Sequence, residues 1–78
     1  MNIYNRVGLR IKSARKKKGY TQKELAKKIG CSTAMICGVE TGSKRVTLVF
    51  LDKIAKALDV EVMYFIENRD TREESKRI

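Results

Sequence analysis

Apolar residues return every three or four positions along most of this chain, with charged residues between them, which is the period of a helix. Val7, Ile11 and Ala14 fall at i, i+4 and i+7 and mark one stripe on a helix over residues 4–18. Arg10, Lys12, Lys16, Lys17 and Lys18 occupy its other sides, crowded toward the C-terminus, where the helix dipole favours cations. Gly19 is the stop. Thr21-Gln22-Lys23-Glu24 then reads as a capping box, with the Thr21 hydroxyl and the Glu24 carboxylate each accepting from the other's backbone amide. Leu25, Ala26 and Ile29 form the inner face of this second helix, and Gly30 ends it. Only Cys31 separates that glycine from the next cap, Ser32, so a third helix runs from Thr33 to about Thr41 with Ile36 and Val39 inward. Gly42-Ser43-Lys44-Arg45 is a loop. Thr47 caps a fourth helix whose stripe is Leu48, Leu51, Ile54, Ala55 and Leu58, and a short fifth begins near Glu61 and carries Val62, Phe65 and Ile66.

This pattern predicts an all-α fold, a single compact five-helix domain over residues 4–66. Residues 67–78 read as a charged C-terminal tail that frays or is disordered. A chain of 78 residues has room for one core and no deep ligand cleft. No stretch approaches the length of apolar sequence that spans a membrane. Cys31 and Cys37 read as two small buried thiols in a reducing cytoplasm, without a disulfide. Two cysteines and no histidine do not supply the four ligands of a zinc site, so no metal or cofactor is expected. With no histidine and no phosphate-cradling loop, an enzyme is not expected either.

Charge adds a direction to this picture. Residues 1–45 hold 12 basic and 2 acidic groups (+10), and residues 46–78 hold 6 and 7 (−1), which together give the formal +9. A field this lopsided draws a polyanion to one end of the molecule. Two short helices joined through Gly30-Cys31-Ser32 cross steeply, because three residues do not turn a chain back antiparallel. That is a helix-turn-helix unit over about residues 21–41.

Thr21-Gln22-x-x-Leu25-Ala26, Gly30-x-Ser32 and Ile36-x-x-Val39-Glu40-x-Gly42 resemble the Cro and phage-repressor (XRE-type) helix-turn-helix family. The likeness continues through Leu48, Leu51, Ala55-Lys56-Ala57-Leu58 and Phe65-Ile66 and covers about residues 7–66. It implies a lambda-repressor-like domain in which the third helix enters the major groove of double-stranded DNA. By position, Gln22 then meets a phosphate, Thr33, Ala34 and Gly38 face bases with Ser32 and Cys37 beside them, and Thr41, Lys44 and Arg45 grip the DNA backbone. Arg15 and Glu40 match a structural ion pair. The long polar readers usual on such a helix are missing, and Val46 stands where many relatives have proline. Small restriction–modification controllers and short phage repressors share the plan, which implies a cytoplasmic, homodimeric, sequence-specific transcription regulator. Val49, Phe50, Met63 and Tyr64 are the expected dimer surface. The alternative is a DNA-associated adaptor or antitoxin-like module whose apolar surface binds another protein.

Overall fold

Capping explains where each helix begins. The computed structural model describes residues 2–67 and contains α1 (Ile3–Lys18), α2 (Gln22–Ile29), α3 (Thr33–Thr41), α4 (Leu48–Leu58) and α5 (Val62–Ile66). Thr21 and Glu24 form the reciprocal box that starts α2, and the Ser32 and Thr47 hydroxyls accept from the Met35 and Phe50 amides at the starts of α3 and α4. α1 begins slightly earlier than the periodicity indicates, because Asn2 and Asn5 cap each other in the same reciprocal way. Gly30 closes α2 at φ +78°, a left-handed conformation that only glycine adopts without steric cost, and so sets the turn into α3. α4 ends without glycine, on Asp59 at φ 60°.

The stripes meet in one core of Val7, Ile11, Ala14, Leu25, Ala26, Ile36, Val39, Leu51, Ile54, Ala55, Leu58 and Phe65. α1 lies against α3 and α5, while α2 packs on α3 and α4. The crossing of α1 on α3 is a backbone contact. A Cβ on Gly8 would lie 2.4 Å from the Glu40 carbonyl oxygen and 2.5 Å from that of Val39. Asn5 Nδ2 adds a bond to the Thr41 carbonyl at 3.1 Å, fixing the C-terminal end of α3 against α1.

Side-chain placement also differs from the sequence expectations. Leu48 continues the α4 stripe in register but is 73% exposed; the buried part of that stripe begins one turn later, at Leu51. Cys37 is exposed and Cys31 half-buried, both as free thiols, and partial burial raises the Cys31 pKa so that it stays protonated. Arg10 does not serve the outer surface: with Arg6 it grips the end of α5. Arg6 Nη2 donates to the Ile66 carbonyl at 3.1 Å, and Arg10 Nη1 donates to those of Tyr64 (3.2 Å) and Glu67. Phe50 and Tyr64, expected on an open face, are half-buried and packed against the core, with Tyr64 edge-on to Phe65 at 5.3 Å. Of the predicted tail, residues 68–78 lie outside the described residues. No helix among the described residues is long and apolar enough to cross a membrane.

Candidate nucleic-acid interface

A buried ion pair sets the position of α3. Arg15 Nε donates to Glu40 Oε2 at 2.7 Å and Nη2 donates to Oε1 at 3.2 Å, a two-point contact between side chains only 8% and 2% exposed. Arg15 Nη1 donates to the Tyr20 carbonyl at 2.8 Å, which ties the α1–α2 connection to the same guanidinium. Glu40 Oε1 also accepts from Gln22 Nε2 at 3.0 Å. One acid thus joins α1, the first residue of α2 and the end of α3. A carboxamide nitrogen carries two N–H groups, so this bond orients Gln22 and leaves one donor for an outside acceptor.

Ahead of that anchor, one face of the N-terminal half of α3 is open. Ser32, Thr33, Ala34 and Cys37 are all exposed. Ser32 is occupied as the cap of α3, its hydroxyl accepting from the Met35 amide at 3.0 Å. Thr33, Ala34 and Cys37 therefore present small side chains on a helix that the core and the ion pair hold from behind. This surface admits close approach of a partner and offers little reach of its own.

The loop after α3 folds back on the helix. Thr41 Oγ1 donates to the carbonyls of Cys37 (3.0 Å) and Gly38 (3.2 Å), and Ser43 Oγ donates to Gly38 at 3.3 Å. The Lys44 amide donates to the same carbonyl at 3.1 Å. Gly38 itself, expected on the open face, is buried: a Cβ there would sit 2.7 Å from both Cγ and Cδ of Lys44. Lys44 and Arg45 are exposed, with the Arg45 guanidinium carbon 5.7 Å from the centre of the Tyr4 ring.

Gln22, Thr41 and Glu40 border an open cleft of about 480 Å³ whose other wall is Asn5, Leu9 and Lys12 of α1. In the sequence Lys12 reads only as one more cation on a basic helix, with nothing to mark it as a site residue. Arg6, Arg10 and Arg15 are bound internally, so the outward charge in the first 45 residues comes from the lysines and Arg45. Of the expected dimer surface, Val49 (70% exposed) and Met63 (56%) are open, and Leu48, Ile3 and Leu9 are also exposed. Among the described residues no group of histidine, cysteine or acidic side chains is arranged to hold a metal ion.

The helix-turn-helix family model matches residues 11–65, more than half of the chain. The chain is 35% identical over 68 residues to the HTH-type transcriptional regulator SinR of Bacillus licheniformis, covering 86% of this chain but 61% of that protein's length. Among solved structures it resembles the restriction-modification controller protein C.AhdI from Aeromonas hydrophila, with a TM-score of 0.76 and 35% identity over 80% of this chain and 94% of that one. It likewise resembles the biofilm regulator SinR in complex with DNA, with a TM-score of 0.74 and 35% identity over 78% of this chain and 98% of that one.

Proposed function

The chain belongs to the helix-turn-helix family, and on that premise we propose that it is a transcription regulator that binds double-stranded DNA through α3. The observation that carries this reading is the division of labour around Glu40. One buried acid holds α1, α2 and α3 together, and the exposed face of α3 beyond it, Thr33, Ala34 and Cys37, contributes nothing to the core. A helix of this diameter fits the major groove with its N-terminal residues against base edges. In this reading residues 4–66 are the binding domain, Thr33, Ala34 and Cys37 face bases, and Gln22, Thr41 and Arg45 hold the phosphate backbone. The lysines of α1 and α2 add the long-range attraction expected of a basic surface near a polyanion.

One domain covers one half-site, so two copies related by a two-fold axis read a palindrome. Val49 and Met63, with Leu48 next to Val49 in the chain, are the exposed apolar side chains proposed to pair them; Ile3 and Leu9 of α1 are exposed as well. Such a regulator works in the cytoplasm, where its DNA is.

The test is selection of bound duplexes from a random pool, followed by affinity measurements at several salt concentrations. The regulator reading expects a selected site bound at least about 10³-fold more tightly than scrambled duplex. Arg45→Ala weakens every duplex and lowers the magnitude of the log–log salt slope by roughly 0.9 per subunit. Thr33→Ala changes base preference and leaves that slope alone. Binding with no preference for any duplex overturns the regulator reading in favour of an adaptor that docks a protein on its apolar surface.

A further inference from the structure

The reading face lacks a long polar side chain of its own, and the fold delivers one from outside the helix. We infer that Lys44, carried on the loop after α3, is a base-reading residue, and that Gly38 is the notch that admits it. The inference rests on the reading above that α3 enters the groove.

Three observations carry it. First, the Lys44 stem lies directly over the α3 backbone: its Cγ and Cδ are 2.7 Å, and its Cε 3.1 Å, from where a Cβ on Gly38 would be. No side chain larger than hydrogen at residue 38 leaves the lysine on this path. Second, the loop is fastened there. The Gly38 carbonyl accepts from the Lys44 amide and from the Ser43 and Thr41 hydroxyls, so the start of the lysine side chain is held against the helix. Third, the helical neighbours of Gly38 on the exposed side, Ala34 and Cys37, are small and leave the route open. Four residues apart, Ala34 and Gly38 lie one above the other on α3, so the stem crosses the same strip of helix that carries the exposed face.

A lysine laid over the strip that faces the groove differs in kind from a lysine on an outlying loop. Its ammonium carries three donors, and guanine offers the two acceptors N7 and O6 on the major-groove edge. The apolar stem over Gly38 limits the ammonium's range. The small side chains of α3 then have a purpose, since they give the lysine room that Gln or Arg would fill. Lys44 therefore selects guanine at one position of each half-site.

Site selection and single-base affinity tests on the wild type, Lys44→Met, Gly38→Ala and Arg45→Ala decide the matter. Lys44→Met keeps the stem and removes the charge. Gly38→Ala keeps every charge and replaces a helical glycine by a better helix former, so the domain folds, but its methyl displaces the lysine. The expected result is a guanine preference of about tenfold or more in the wild type that falls below about twofold in both Lys44→Met and Gly38→Ala. Arg45→Ala retains it. Gly38→Ala also keeps the wild-type salt slope, which separates loss of reading from loss of charge. A wild type that selects a site whose base preferences survive both Lys44→Met and Gly38→Ala overturns this inference alone. A wild type that selects no sequence overturns the regulator reading with it.

Discussion

Replacing Glu40 by alanine removes an acceptor that three donors share and leaves a buried cation behind. In the native fold Glu40 takes bonds at 2.7, 3.2 and 3.0 Å from Arg15 and Gln22. After the substitution the Arg15 guanidinium, on a side chain only 8% exposed, keeps one bond, to the Tyr20 carbonyl. Removing one partner of a buried pair typically costs about 3–5 kcal/mol, because the other charge is left without compensation. A domain of this size holds about 4–12 kcal/mol in total, so Glu40→Ala sits at or near the edge of folding. With a urea m-value of roughly 1 kcal/mol/M for so small a protein, the midpoint falls by about 3–5 M. The assay is urea denaturation followed by far-UV circular dichroism, with Arg15→Met/Glu40→Leu as the control. The double variant has no unpaired charge and recovers most of the loss, since apolar replacement of a buried pair is often neutral. A loss under about 0.5 kcal/mol for Glu40→Ala refutes the reasoning, as does a double variant no more stable than the single one.

Gly8→Ala forces a methyl into the Glu40 and Val39 carbonyls, so the α1–α3 crossing must open. We expect a loss of about 1–3 kcal/mol in the same urea assay, and unchanged stability contradicts the backbone contact. The surface proposed for pairing is tested by Val49→Glu and Met63→Glu, which expose charge where the wild type exposes apolar area. Both remain folded and sediment as monomers at micromolar concentration; a wild type that is already monomeric there sinks the dimer. Phe50→Glu and Tyr64→Glu are poorer probes, because these side chains pack against the core and their replacement unfolds as well as separates.

Much of this architecture was legible because it is written in local pattern. Thr21 with Glu24, Ser32 and Thr47 are side chains that satisfy orphan amides within one turn, and their spacing alone locates α2, α3 and α4. The inward stripe of each helix follows from its period. What escaped the sequence depends on partners far along the chain. Arg6 and Arg10 bind backbone carbonyls more than 50 residues away, and a carbonyl has no residue signature. The Asn2–Asn5 box uses the same geometry as Thr21–Glu24 but with residue types outside the usual pattern. Leu48 keeps helical register and so reads as core, although the buried stripe of α4 begins one turn later, at Leu51. The exposed half of α3 was legible as the side opposite Ile36 and Val39. The path of Lys44 over Gly38 was not, because it is set by how the loop folds onto the helix.

In the proposed complex the exposed face of α3 is the surface that DNA touches. Backbone amide shifts of the isotopically labelled chain, recorded as its selected duplex is added, test that claim residue by residue. The largest changes are expected on residues 32–37, on Gln22 and on the 43–45 loop, with the buried positions Ile54 and Leu58 of α4 nearly silent. Changes confined to Leu48, Val49 and Met63, with residues 32–37 unmoved at saturation, contradict it.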